Sequence, residues 1–189
     1  MHYQQDQTFD KLNHTATPLA KGEYENCVFK NCDLSNADLT EFKFIDCQFM
    51  ACNLSLAKLL RTTLRDVTFK DCKLLGLHFD KCSEFGLRVG FEGCNLSHSS
   101  FYKTKLKKTV LKNTQLHEVD FSECDLTASV FDSCDLLNAK FDNTLLEKAD
   151  LRSAFNYSIN PDGNRIKKAR FSLSGVAGLL DKYDIEIER

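Results

Sequence analysis

Counted from Tyr24, every fifth position of the chain is large and apolar: Phe29, Leu34, Leu39 and so on to Phe79. The series then resumes at Phe91 and runs to Leu151. These 25 positions hold 14 Leu, 10 Phe and one Tyr, so no polar residue interrupts the pattern. Two residues before each of them, 23 of 25 positions are Gly, Ala, Ser, Cys, Thr or Val; Phe42 and Leu77 are the exceptions. A helix repeats near 3.6 residues and a strand at 2, so a strict five fits neither. It requires a chain that turns a corner once per repeat. A large residue at position i and a small one at i−2 then point inward as alternate residues of a short extended segment, and the remaining positions face solvent. Such a unit cannot bury its apolar pair alone, and successive coils must stack into a solenoid.

All nine cysteines, Cys27, Cys32, Cys47, Cys52, Cys72, Cys82, Cys94, Cys124 and Cys134, occupy i−2 positions, counting Cys82 in the register before the break. Their placement follows the packing period and not the CxxC spacing of a metal or redox site. We expect buried, reduced thiols with neither metal nor cofactor.

The stretches CDLSNADLTEF, CNLSLAKLL and KADLRSA resemble the A(D/N)Lxx motif of pentapeptide-repeat proteins. That resemblance implies an all-β fold, a right-handed quadrilateral β-helix with four pentapeptides per coil. Residues 20 apart then lie one coil apart on one face, which stacks Cys32, Cys52 and Cys72 in one column and Cys27 and Cys47 in another.

We read one domain over 1–189, with a lead-in over 1–14, the β-helix over 15–171 and a break at 82–90. Phe79 to Phe91 spans two pentapeptides plus two residues. The extra pair lies near SEFGLR, where Gly86 and Gly90 let the backbone leave and rejoin the coil and Phe85 is the candidate to turn inward. The break is either a plain bulge or a partner-contacting protrusion built on Glu84, Phe85, Leu87 and Arg88. Beyond residue 171 the period changes. Ser172 or Ser174 can cap a short α-helix with Val176, Leu179, Leu180 and Tyr183 on one face, and Ile185 and Ile187 alternate as in a terminal strand. A helix this short must pack on something, either its own solenoid or a second copy.

The tail, NYSINPDGNRIKKARFSLSGVAGLL followed by KYDIEIE, resembles that of the Qnr-like quinolone-resistance proteins and their relatives that confer immunity to albicidin and microcin B17. This resemblance implies a homodimer through Leu173, Val176, Leu179, Leu180, Tyr183, Ile185 and Ile187. It also implies a bacterial type II DNA topoisomerase, gyrase or topoisomerase IV, as partner, met by a DNA-like negative rod that protects it from quinolones or related inhibitors. Some members project long loops needed for protection, whereas this chain has only the two-residue insertion.

Charge bears on that implication. The net charge is −2. Residues 113–151, however, hold nine acids, Glu118, Asp120, Glu123, Asp125, Asp132, Asp135, Asp142, Glu147 and Asp150, against Lys140 and Lys148. The resulting −7 falls on about two coils, roughly 10 Å of axis, where duplex DNA carries about six charges. The acids spread over all four expected faces, and Asp at i−1 has a structural use at the corner, so a solvated, salt-bridged surface is the competing reading. The flanking Lys103, Lys105, Lys107, Lys108, Lys112, Arg165, Lys167, Lys168 and Arg170 have few aromatics for base stacking nearby, and direct nucleic-acid binding is not expected. Neither an apolar leader nor a long uncharged apolar run is present, so a cytoplasmic location is expected and no membrane contact. The five histidines carry no catalytic or metal motif, and we expect no enzyme. The alternative to a topoisomerase-binding factor is a scaffold for another protein partner.

Overall fold

The computed structural model describes residues 2–188; Met1 and Arg189 lie outside the described residues. The chain winds as a right-handed quadrilateral β-helix. Its first face is a four-stranded parallel sheet of His2–Gln5, Gly22–Glu25, Lys43–Ile45 and Thr63–Arg65. The second is a nine-stranded parallel sheet running from Thr8–Asp10 to Arg170–Phe171. The third and fourth faces are columns of single parallel bridges, such as Asn13↔Asp33↔Asn53 and Ser100↔Asp120↔Lys140.

The corners explain the five-residue period. The residue at i+2 takes a left-handed conformation at nearly every corner, as at Asn26, Glu41, Leu56, Lys108 and Glu123, with φ between 50° and 64°. One left-handed residue per pentapeptide reverses the local chain direction enough to close a square in four steps. At i−1, an Asp or Asn oxygen accepts the backbone N–H two residues on: Asp33 from Ser35 at 3.0 Å, Asp120 from Ser122 at 2.9 Å, Asp125 from Thr127 at 3.1 Å. The Asp of the motif thus holds the turn.

Inside, the large residues stack coil on coil. Phe9, Phe29, Phe49, Phe69 and Phe91 form a column with ring centroids 4.6–5.5 Å apart. Phe79, Phe101, Phe121 and Phe141 form a second, at 4.5–5.4 Å. Both spacings follow the rise between hydrogen-bonded strands, which sets the ring separation.

Three expectations about the break and the ends change. Of the expected lead-in over 1–14, residues 2–14 are already coil: His2–Gln5 and Thr8–Asp10 pair in parallel with Gly22–Glu25 and Val28–Lys30, and Phe9 stacks on Phe29. Gln4 and His14 stand where the ladder elsewhere has Leu or Phe, which hides the register in the sequence. At the break, Phe85 points outward, 87% exposed, and the half-buried Leu87 packs on the core in its place. Gly86, at φ +76°, supplies the reversal that turns Leu87 in. Val67↔Val89 and Phe69↔Phe91 then pair normally, so the insertion is absorbed within one coil.

At the far end, the expected α-helix and terminal strand are two 3₁₀ turns, Val176–Leu179 and Asp181–Tyr183, followed by irregular chain through Ile185 and Ile187. Gly175 and Gly178 weaken any helix here. Both are needed as glycine, since a Cβ on Gly175 would strike the Tyr157 hydroxyl and one on Gly178 the Tyr157 carbonyl. Ile159 donates to Gly178 at 2.8 Å, and Leu179 packs on the core, so this segment closes the end of its own solenoid.

Candidate protein-binding surfaces

The coil geometry distributes the nine acids over all four faces. Asp125 and Glu147 stand on the first, Asp132 and Asp150 on the second, Glu118 and Asp135 on the third, and Asp120, Glu123 and Asp142 on the fourth. Several are partnered. Asp125 lies 3.1 Å from Lys107, Glu123 3.4 Å from Lys103, and Asp150 2.7 Å from Arg152. His117 approaches Asp135 at 2.7 Å, and His98 approaches Glu118 at 3.3 Å. Asp120, Asp132, Asp142 and Glu147 have no basic partner within ion-pair distance among the described residues, and two of these four share the fourth face.

The structural use of the i−1 acids shows in their acidity. Burial works against ionisation of Asp125, but hydrogen bonds from Thr127 and the Lys107 ammonium outweigh it and hold the carboxyl below the usual range. Asp135 is likewise held down against burial, by His117 and Asn156. The Arg152 guanidinium lowers Asp150. These carboxylates are therefore ionised at neutral pH, while part of their charge is spent on the corner turn and on local pairs.

Two apolar features accompany the charges. At the break, Phe85 projects from the first face beside Glu84 and Arg88, and Arg88 pairs with Asp66 at 2.7 Å. At the C-terminal end, Leu173 is 93% exposed, Val176, Tyr183, Ile185 and Ile187 are also exposed, and Leu179 and Leu180 are half-buried. The dimerisation residues inferred from the tail thus split into two that are half-buried, of which Leu179 packs on the core, and five that face outward.

The i−2 slot is richer than its small-residue pattern suggests. Many of its thiols and hydroxyls donate to the carbonyl of the large residue one coil earlier, as Cys52 to Phe29 at 3.3 Å, Cys72 to Phe49 at 3.4 Å, Ser129 to Leu106 at 2.6 Å and Thr144 to Phe121 at 2.9 Å, whereas Thr104 and Thr114 donate locally to Phe101 and Lys112. The enrichment in Cys, Ser and Thr over Ala was the available signal. All nine cysteines are buried and unbridged, and no cluster of metal-ligating residues occurs among the described residues. No described helix is long and apolar enough to cross a membrane.

No curated protein sequence matches the chain. Among solved structures, a trypsin-treated variant of QnrB1, described as a plasmid-mediated fluoroquinolone resistance protein, is similar over the whole of both chains, with 18% identity and a TM-score of 0.62. HetL, a pentapeptide-repeat protein involved in heterocyst differentiation regulation in the cyanobacterium Nostoc sp. strain PCC 7120, is similar over 89% of this chain and 84% of its own, with 18% identity and a TM-score of 0.52. These likenesses are of fold. The family model of the pentapeptide repeat region matches residues 23–84 and 87–156, interrupted only where the coil takes up its two extra residues, and the chain belongs to the pentapeptide-repeat family.

Proposed function

We propose that the chain is a non-enzymatic binding protein that acts in the cytoplasm as a homodimer, docks on a bacterial type II DNA topoisomerase where duplex DNA would lie, and protects it from quinolones or related inhibitors. The observation that carries this reading is the fourth face, where Asp120, Glu123 and Asp142 outnumber Lys140 on two successive coils of a continuously hydrogen-bonded rod, Glu123 being paired with Lys103 of the coil before. A stiff rod presents these charges without losing conformational entropy on binding. The Qnr-like tail supports the choice of partner, and the outward Leu173, Val176, Tyr183, Ile185 and Ile187 support the dimer.

A gyrase supercoiling assay with and without a quinolone tests the reading. The wild-type chain is expected to restore supercoiling in the presence of drug. Reversing Asp120, Glu123 and Asp142 to Lys is expected to remove topoisomerase binding while the dimer mass is unchanged, and wild-type binding should weaken with salt. Unaltered binding by the folded triple variant would sink the mimicry. A second reading, a scaffold for a different protein, is favoured by the exposed Phe85, an apolar anchor of the kind protein interfaces use. Topoisomerase binding lost in Phe85→Ala and kept without the acids would move the contact to the break, and no topoisomerase binding at all would move the conclusion to the different partner.

A further inference from the structure

The two basic runs that flank the acidic stretch in sequence meet on one face in space. The bridges Lys105↔Asp125, Asp125↔Leu145 and Leu145↔Arg165 place residues 105–108 and 165–168 on the first face, three coils apart. Lys105, Lys107 and Lys108 stand at one end of this patch, Arg165, Lys167 and Lys168 at the other, and Lys148 between them. All seven are exposed, and only Asp125 and Glu147 oppose them on these coils. Lys107 is paired with Asp125, and the other six cations have no carboxylate within ion-pair distance among the described residues. The opposite end of the same face differs, with Glu23, Glu25, Asp46 and Asp66 against Lys43 and Arg65. A net +5 over about 14 Å of axis, by the strand spacing, is a concentrated field in a chain whose total charge is −2.

Against the expectation drawn from the two runs taken separately in sequence, we propose that this C-terminal half of the first face, where the bridges gather them, is a docking surface for the phosphate backbone of duplex DNA. The patch is straight and carries no exposed aromatic side chain on which unpaired bases would stack; Tyr102 belongs to the neighbouring fourth face. It is therefore suited to phosphates and not to single strands. It has no exposed apolar cluster to enter a bilayer or anchor an acidic peptide. Duplex DNA offers one charge per about 1.7 Å of axis, so a 14 Å contact meets about eight phosphates, enough to satisfy every unpaired cation. Contact of this kind positions DNA and reads no sequence. The fourth face, with Asp120, Glu123 and Asp142 against Lys103 and Lys140, adjoins the basic one, so the rod can meet an enzyme and a DNA segment on adjacent sides.

The test is anisotropy of a fluorescent 20-base-pair duplex titrated with the full-length chain between 50 and 200 mM salt. Binding at 50 mM is expected, with log affinity falling against log salt at a slope of about −4 to −5, as for five phosphate contacts. Lys108→Glu, Lys148→Glu and Lys168→Glu together should weaken binding at least tenfold and leave the thermal melt unchanged, because all three side chains are exposed. The same charge change made on other columns, at Lys11, Lys30 and Lys70, should cost less than threefold. Failure to bind at 50 mM, equal losses from the two triple variants, or tighter binding to the single strand would overturn the proposal. So would a change in sedimentation mass in the first triple variant without DNA, since the face would then belong to a second copy. Topoisomerase binding is measured separately through the fourth-face acids, so either conclusion can fail alone.

Discussion

The two halves of the solenoid fill the same interior slot with different chemistry. Up to Cys94, seven of the small i−2 positions are cysteine; beyond it hydroxyls outnumber thiols, with Ser99, Thr104, Thr109, Thr114, Ser129 and Thr144 against Cys124 and Cys134, and Val119, Ala139 and Ala149 fill the rest. The backbone does not register the change. Thiol donors reach the carbonyl below at 3.3 Å from Cys52 and Cys134, and hydroxyl donors at 2.6 Å from Ser129 and 2.9 Å from Thr144, the difference being that expected between sulfur and oxygen radii. The slot therefore selects for small volume and accommodates one donor where there is one, since Ala37, Val67 and Val119 fill it without any, and sulfur has no role of its own in it.

Four predictions bear on that equivalence. The largest effect lies outside the slot: Leu54→Asp in the axial column places an unpaired charge at a fully covered site and should abolish the cooperative melt, costing about 5 kcal/mol or more. A folded variant would show that the axis is wet. The second separates the halves by pH. Burial pushes the thiols of Cys32 and Cys47 up to about 11, and those of Cys124 and Cys134 to about 12. A thiol with a raised folded-state pKa contributes stability that is complete below its unfolded value near 8.5 and lost as pH rises through 11–12. Hydroxyls do not titrate there. Hydrogen exchange between pH 9 and 11 should then show the coils of residues 24–82 opening before those of 96–116, and serine at the cysteine positions should remove the difference.

The third effect is smaller. Cys52→Ala and Ser129→Ala should each cost about 1 to 2 kcal/mol in denaturant melts, a small cavity plus one lost hydrogen bond. A much larger loss for cysteine alone would restore a special role for sulfur. The fourth is smallest. Thr144→Val keeps the volume and should cost about 1 kcal/mol, because Val67, Val89 and Val119 already fill such slots. If it unfolds the protein, the donor matters more than the fit.

Much of the rod was legible in the sequence because a five-residue period leaves few geometric solutions, and a 25-member ladder fixes the register unaided. Legibility fails where a residue departs from the pattern while the backbone does not. Gln4 and His14 conceal the first coil, and at the break nothing in SEFGLR says whether Phe85 or Leu87 turns in, since the answer depends on the φ of Gly86. The C-terminal segment misled for another reason. Val176, Leu179, Leu180 and Tyr183 have helical spacing, but the surface of Tyr157 dictates the path of Gly175 and Gly178. For the binding surfaces, the sequence shows charge in runs while the solenoid sorts it by twenties. The acids of one stretch scatter over four faces, and two distant basic runs converge on one.

The left-handed corners carry a consequence for how such a protein changes over generations. Asn26, Glu41, Leu56, Arg61, Lys108 and Ala128 all occupy that conformation, although most of these residue types disfavour it by about 1 kcal/mol or more. The ladder on either side, and not the residue, dictates the bend. Nearly any side chain can therefore be installed at a corner without moving its neighbours, and each new one appears at a fixed place, one notch along a ruler of constant pitch. Ancestry can thus be erased from the outside of the molecule while its dimensions are inherited intact, and new partners are acquired one exposed notch at a time.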